Sequence, residues 1–171
     1  MKKILLLLIS LLLISCSNSD DSDEIVGLNF DRNAFEKNRQ LWTENEISNY
    51  TFSQEYFSTS VGPQPKLTSI VINSELDTIF LQSNNSTNIP IDEFIYYGTV
   101  EDAFQFIEWT TAYYEGIINS NQSYMKGAEF DITYDKTYYY PTEIKCIGNY
   151  FESIDGGLSI QIIFSDFEVN Q

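Results

Sequence analysis

The sequence predicts an α+β domain in which two helices pack on one face of an antiparallel sheet of about six strands. Two amphipathic stretches have helical spacing, and each is followed by three short segments in which apolar residues alternate. This gives the order α-βββ-α-βββ. The chain also carries 12 Phe, 12 Tyr and 2 Trp, and these aromatic side chains supply the bulk of a core.

Two capping patterns predict where the helices begin. Asn33, followed three residues later by Glu36, has the form of a capping box at the start of the first helix. Thr99 and Asp102 form the corresponding pattern at the start of the second helix. The second helix has a wide apolar surface, which suits packing against a sheet better than a two-helix seam. This surface comprises Ala103, Phe104, Phe106, Ile107, Thr110, Tyr113, Tyr114, Ile117 and Ile118.

Alternating apolar residues predict strands at residues 50–57, 67–72, 76–81, 129–134, 142–147 and 158–167. In the first of these strands, the period of two places Tyr50, Phe52 and Tyr56 on one side. Asn73-Ser74-Glu75 is expected to turn the chain between the second and third strands. Cys146 alternates in phase with the apolar positions of its strand, so we expect a small buried residue rather than a reactive thiol.

The N-terminal segment has the pattern of an export signal. Lys2 and Lys3 precede an apolar run over residues 4–14, about half of the roughly 20 residues needed to span a bilayer, and Cys16 follows. This pattern looks like a bacterial lipoprotein signal, whose cysteine is lipidated and becomes the first residue after cleavage. An ordinary secretory signal with a chance cysteine is the alternative. The predicted organisation is a signal peptide at 1–15, a lipidated cysteine with a disordered acidic tether at 16–30, and one domain at 31–171.

These segments predict an outer-membrane lipoprotein of the bacterial cell envelope, attached to the membrane through acyl chains on Cys16. The acidic stretch SNSDDSDE that follows resembles the surface-export signal of lipoproteins in one large Gram-negative phylum. The resemblance favours display on the cell surface, and a plain soluble spacer is the alternative.

Composition excludes several classes of partner and of chemistry. The net charge is −16, and loss of Lys2 and Lys3 with the signal peptide lowers it to −18, so the surface repels nucleic acid and anionic headgroups. The chain has no histidine, which removes Ser-His-Asp and Cys-His nucleophile systems and most catalytic zinc sites. Because the sequence shows no phosphate loop, dinucleotide fingerprint or calcium loop, we expect no cofactor and no metal site.

The most distinctive stretch is YDKTYYYPTEI, which predicts a strand, a tight turn and a second strand. Its tyrosines form a platform for a protein or glycan in one interpretation. In the other interpretation they fasten the hairpin to the core, as buried tyrosines usually do, and this second interpretation is favoured. The candidate binding surface consists of Tyr134, Asp135, Tyr138, Tyr139 and Tyr140.

The same stretch resembles the Tyr-Asp-x-x-Tyr-Gly-Tyr-Pro-Thr-x-Ile signature of a family of small bacterial lipoproteins without an assigned activity. A Trp-bearing first helix, the strand start at residues 49–52 and a closing strand after an Asp-Gly turn extend the resemblance over about residues 33–168. Tyr139 replaces the usual glycine, and the cysteine pair that many members carry is missing around residues 57–59. The resemblance implies a fold and a location but no reaction.

The leading hypothesis is a non-enzymatic envelope lipoprotein that presents an exposed apolar or aromatic patch to a protein or glycan. The alternative is a small carboxylate-dependent, glycosidase-like hydrolase, with Asp131, Asp135 and Glu143 as candidate residues. Such an enzyme needs a pocket with two carboxylates about 5 to 10 Å apart, at least one with a raised pKa. A third hypothesis is an inhibitor or envelope-assembly adaptor that docks through a sheet edge or open face.

Overall fold

Two helices and a single sheet make up the computed structural model of the chain, which describes residues 26–81, 95–120, 124–151 and 159–170. The helices are α1 (Arg32–Glu44) and α2 (Val100–Ile118). The strands are β1 (Gly27–Phe30), β2 (Tyr50–Ser58), β3 (Gly62–Pro63), β4 (Leu67–Ile72), β5 (Glu75–Leu81), β6 (Met125–Tyr134), β7 (Pro141–Tyr150) and β8 (Ser159–Val169).

The eight strands of the described residues form one mixed sheet in the order β1-β6-β7-β8-β2-β4-β5, with β3 paired to β2. β1 and β6 run parallel, with Gly27 opposite Gly127 and Phe30 opposite Phe130, whereas the other pairs are antiparallel. The architecture is thus α+β, as predicted. The prediction of a purely antiparallel sheet of about six strands is wrong.

The two unpredicted strands are too short for a pattern to predict them, because β1 alternates only over Leu28-Asn29-Phe30 and β3 has no alternation. β3 has only two residues, and β1 lies in the segment predicted to be the tether. β1 is a strand because its backbone pairs with the free edge of β6, where Asn29 Nδ2 also donates to Glu129 Oε1 at 3.3 Å. The folded domain therefore includes Gly27–Phe30, which corrects the predicted end of the tether at residue 30. Cys16, with the predicted signal peptide, lies outside the described residues.

Asp31, rather than Asn33, caps α1. Its Oδ1 accepts the Ala34 N–H at 2.9 Å, and Asn33 lies inside the helix. The helix begins two residues earlier than predicted because β1 ends at Phe30 and the chain turns directly into the helix. The capping box predicted at the start of α2 is confirmed by reciprocal hydrogen bonds between Thr99 and Asp102, at 3.1 and 2.8 Å.

The hairpin between β4 and β5 turns where it was predicted. Asn73 and Ser74 both have a positive φ, at 52° and 65°, which is the backbone conformation of a type I′ turn and matches the twist of the flanking strands. The turn predicted at Asp155-Gly156-Gly157 lies outside the described residues.

Both helices pack against the same face of the sheet and share one aromatic core with it. Trp42 of α1 lies edge-on to Tyr50 of β2, with ring centroids 5.5 Å apart, and Phe35 of α1 lies 6.0 Å from Phe104 of α2. Tyr50, Phe52 and Tyr56 are all buried in this core, as the strand pattern predicts. A second, smaller cluster comprises Tyr114, Met125, Ala128, Phe130 and Cys146.

Candidate functional site

A polar network at the N-terminal end of α2 joins both helices to β2. Glu101 accepts two hydrogen bonds, from the Trp42 indole N–H at 2.8 Å and from the Tyr50 hydroxyl at 3.2 Å. The Tyr50 oxygen in turn accepts the Val100 N–H at 3.0 Å. Burial raises the pKa of Tyr50 and the charge of Glu101 raises it further, so the hydroxyl keeps the proton that it donates. The network therefore fixes where α2 starts on the sheet.

A second attachment lies just before α2. Gln54 is buried in β2, and its amide pairs with the backbone of Tyr97: Oε1 accepts the Tyr97 N–H at 2.8 Å and Nε2 donates to the Tyr97 carbonyl at 2.7 Å. This side chain satisfies both backbone groups, as a neighbouring strand would do. The segment that leads into the Thr99 cap is thereby held against the sheet.

The C-terminal half of α2 rests on the second core cluster. Tyr114 is buried there and is hydrogen-bonded to the thiol of Cys146. Burial raises the pKa of the Cys146 thiol to about 12, and the bond to Tyr114 offsets only part of that shift. The thiol is therefore protonated and inert at neutral pH, and the prediction of a buried strand cysteine is confirmed.

Five aromatic side chains from α2 and from the paired ends of β6 and β7 form a band beside this cluster, and we call this band the aromatic surface. Trp109 and Tyr113 stack with ring centroids 5.7 Å apart and planes at 11°, and Tyr124 and Tyr150 stack at 5.9 Å and 8°. Burial and the neighbouring Tyr113 hydroxyl raise the pKa of Tyr124, so the two stacked pairs lie side by side. Phe151 joins the band through its backbone, because its N–H donates to the Tyr124 carbonyl at 3.1 Å.

The aromatic surface is large for so small a domain. The exposed fractions are 67% for Trp109, 50% for Tyr113, 55% for Tyr124 and 61% for Phe151. With 150 to 250 Å² for each aromatic side chain, these fractions correspond to roughly 350 to 580 Å² of exposed aromatic area. Patches of that size are the largest that monomeric proteins usually expose, and they often serve in binding.

Local geometry explains why these rings meet. Trp109 and Tyr113 are four residues apart, so they are neighbours on the surface of α2. The pairing of β6 with β7 brings Tyr124 beside Tyr150. Gly148 leaves room for the Tyr150 ring, because a Cβ at that position would lie 3.1 Å from its Cε2 atom. Each stacked pair is thus built by one secondary-structure element or by one strand pairing.

The rings of the predicted binding surface in the β6–β7 hairpin pack inward to different degrees. Tyr140 is only 6% exposed and stacks on Phe167 with ring centroids 4.4 Å apart. The Tyr138 ring lies 5.3 Å from the same Phe167 ring, and Tyr134 stacks with Phe104 of α2 at 6.4 Å. These contacts fasten the hairpin to β8 and to the helix. A binding role for these tyrosines stays a prediction.

Asp135 builds the turn of that hairpin. Its Oδ1 accepts the N–H groups of Thr137 and Tyr138 at 2.8 and 2.6 Å, and its carbonyl accepts the Tyr139 N–H at 3.1 Å. Tyr139 has a φ of 68°, in the left-handed region that favours glycine. A glycine would adopt this conformation without the steric cost of a Cβ atom.

One small acidic pocket lies where β1 ends beside β6. It has a volume of about 230 Å³, below the roughly 300 Å³ at which small-molecule sites begin. One of its two acidic residues, Asp31, already accepts the N–H that caps α1. The pocket is lined by Phe30, Asp31, Ala34, Phe130, Asp131, Ile132 and Tyr134.

The three carboxylates that the hydrolase hypothesis names have different surroundings. Asp135 accepts backbone N–H groups in the turn, whereas Asp131 is exposed on β6, opposite Lys145 of β7. Glu143 accepts a hydrogen bond from Gln161 at 2.6 Å and binds Lys145 Nζ at 3.0 Å, and both contacts lower its pKa. A general acid needs the opposite shift, so Glu143 is poorly suited to that role.

Two further properties concern the described part of the chain. Neither of its helices is both long enough and apolar enough to cross a bilayer. Within the same residues, no group of three or more His, Cys, Asp or Glu side chains is arranged to hold a metal ion.

The sequence does not predict the aromatic surface. Helical spacing places Tyr113 on the apolar side of α2, but this residue is half exposed, so that prediction is wrong for Tyr113. The one local signal is Trp109, a large aromatic residue outside the inner face, four residues before Tyr113. Tyr124 and Phe151 are distant in sequence and meet only because β6 pairs with β7.

Comparison with known proteins identifies a family but no described activity. No significant match was found among curated proteins or among solved structures. The model of a family of unknown function, DUF6174, matches residues 34–169, which run from the first turn of α1 to the end of β8. The chain therefore belongs to this family of unknown function.

Proposed function

We propose that this chain is a membrane-anchored lipoprotein of the bacterial cell envelope, whose domain binds a protein or glycan without catalysis. The single observation that carries the binding role is the aromatic surface, in which rings that would stabilise a core are exposed to water instead. Burial of this apolar area against a partner stabilises a complex, because each Å² removed from water contributes about 25 cal/mol before the costs of association.

The rings of the aromatic surface are ordered before any partner arrives. Stacking within each pair restricts their side chains, and the buried Tyr114, whose ring centroid lies 5.7 Å from that of Tyr113, ties the surface to the core. Tyr and Trp have few rotatable bonds, so binding costs little further side-chain entropy. These properties are typical of a preformed binding surface.

The anchor at Cys16 is part of the proposal and is supported by the sequence pattern around it. β1 is the first strand of the described residues, and the predicted tether between Cys16 and Gly27 would reach roughly 35 Å if it were fully extended. A domain on such a tether stays close to the outer membrane and meets envelope partners at a high effective concentration. The acidic residues after Cys16 favour a position on the cell surface.

Affinity capture from solubilised envelope of the native host tests the binding role. The lipidated wild-type chain is expected to retain a protein or glycan that the Trp109→Ala/Tyr113→Ala variant does not retain. Phe80→Ala is the matched control, because Phe80 is also an exposed aromatic residue, at 43%, but lies on β5 at the far edge of the sheet. Equal recovery by all three proteins would refute a binding role for the aromatic surface.

Mass spectrometry of protein from the native host tests the anchor. A mature chain that begins at Cys16 and carries acyl chains is expected, and Cys16→Ser is expected to release the domain from membranes. An unmodified thiol at Cys16 in the wild-type protein would refute the lipoprotein assignment. Protease treatment of intact cells then distinguishes display on the surface from a periplasmic position.

The acidic pocket makes hydrolysis the second candidate function. Its test is turnover of a glycan panel by the wild-type chain and by Asp131→Asn. Turnover that this substitution abolishes would replace the binding proposal with a carboxylate-dependent enzyme.

A further inference from the structure

We infer that the partner of the aromatic surface is a basic protein segment, whose Arg and Lys side chains lie across the exposed ring faces. This inference rests on the proposed function and narrows its protein-or-glycan choice to one class. Arginine and lysine are attracted to the faces of Trp, Tyr and Phe, and the attraction strengthens when the pair is removed from water.

Charge is the first argument. The chain carries a net charge of −16, so its field attracts cations and repels anionic polymers and lipids. Four ion pairs join Arg39 to Glu108 at 2.9 Å, Arg32 to Glu115 at 3.7 Å, Lys66 to Asp166 at 2.7 Å and Lys145 to Glu143 at 3.0 Å. Each pair uses one cation and one carboxylate, so the excess of 25 acidic over 9 basic residues remains, and an approaching basic segment meets a predominantly negative chain.

Contacts within the chain show that its rings accept cations. Lys126 Nζ lies 5.8 Å from the centroid of the Phe151 ring, at one end of the aromatic surface. On α1, the guanidinium carbon of Arg39 lies 5.9 Å from the centroid of the Phe35 ring. The exposed faces of Trp109, Tyr113 and Tyr124 offer the same chemistry to a cation from another chain.

The size of the aromatic surface favours a short segment over a second copy of the domain. Its roughly 350 to 580 Å² lies below the roughly 800 Å² that each partner buries in a standard protein–protein interface. Two copies of the chain would also bring together two charges of −16. An extended basic segment avoids both problems, because it covers the band and carries the opposite charge.

Calorimetric titration of the full lipidated chain in a neutral detergent tests the inference. The probes are a short arginine-rich peptide and the same peptide with citrulline, a neutral analogue, in place of each arginine. We expect the arginine peptide to bind, the citrulline peptide to bind at least tenfold more weakly, and added salt to weaken the complex. Trp109→Ala and Tyr113→Ala should each weaken arginine-peptide binding by about 2- to 30-fold, whereas Phe80→Ala should leave it unchanged.

Four outcomes overturn the inference. Equal binding of the two peptides, or equal binding by wild-type protein and the Trp109→Ala variant, shows that the rings do not recognise the cation. Binding of neutral oligosaccharides without binding of the arginine peptide identifies a glycan site, in which case the proposed function stands and only the partner class is wrong. Binding of zwitterionic lipid vesicles through Trp109, without peptide binding, identifies a membrane-facing surface. Failure of the proposed function is seen separately, as equal capture of envelope material by the wild-type and double-variant chains.

Discussion

Replacement of Tyr50 by Phe is expected to destabilise the domain without creating a cavity. The ring of Tyr50 is fully buried and touches the rings of Trp42, Phe52 and Phe167, and the substitution keeps all three contacts. Only the hydroxyl is lost. The substitution therefore measures the contribution of the Tyr50 hydroxyl to the polar network at the N-terminal end of α2, without a change in ring packing.

The expected magnitude follows from the two hydrogen bonds of that hydroxyl. Val100 is buried, and its N–H belongs to the first turn of α2, where no intrahelical partner exists, so it loses its acceptor. A buried donor without a partner costs about 1 to 3 kcal/mol. Glu101 loses the hydroxyl at 3.2 Å but keeps the Trp42 indole at 2.8 Å, which limits the cost on that side. We expect the free energy of unfolding to fall by about 2 kcal/mol.

Urea unfolding of a soluble form that starts at Ser17, monitored by fluorescence and circular dichroism, measures the change in the free energy of unfolding. A loss of about 2 kcal/mol lowers the midpoint by roughly 1 M for a domain of this size. A double-mutant cycle with Glu101→Ala is the control, because the cost of Tyr50→Phe should shrink when its carboxylate partner is absent. A loss below about 0.5 kcal/mol would refute the role assigned to the Val100 contact, and full additivity of the two substitutions would refute the coupling between Tyr50 and Glu101.

The remaining predictions concern a cap, a thiol and a surface carboxylate. Thr99→Ala removes the capping hydroxyl of α2 and should lower the free energy of unfolding by about 1 kcal/mol. Urea unfolding measures this change, and an unchanged midpoint would contradict the prediction. Cys146 should react with a thiol reagent only as fast as the chain opens, because its thiol is buried and protonated, and rapid labelling of the folded protein would contradict this. Glu143 has a lowered pKa in the folded state, so the stability that it contributes is present above the ordinary Glu value of about 4.3 and is lost as the pH falls below it. The difference in unfolding free energy between wild type and Glu143→Gln should therefore shrink in acid, and a difference independent of pH would show that the contacts with Gln161 and Lys145 do not stabilise the fold.

Features that depend on contacts within a few residues were predictable. The capping box at Thr99 and the turn at Asn73 and Ser74 use neighbouring backbone groups, so local residue types specify them. The burial of Cys146 follows from the period of two along a strand. The start of α1 was misplaced because both Asp31 and Asn33 suit a cap, and the end of β1 decides between them.

The sequence by itself determined the α+β class, the helices, six of the strands and the inward-facing residues of β2, because hydrophobic periodicity assigns each element its type and its buried side. Tertiary structure decided the rest. β1 is a strand only because the edge of β6 supplies its hydrogen bonds, and no pattern within residues 27–30 encodes that partner. The aromatic surface likewise exists only because a helix and a strand pair bring together rings that lie up to 42 positions apart, from Trp109 to Phe151. A side chain's exposure depends on what other elements cover it, and a local pattern does not contain that information.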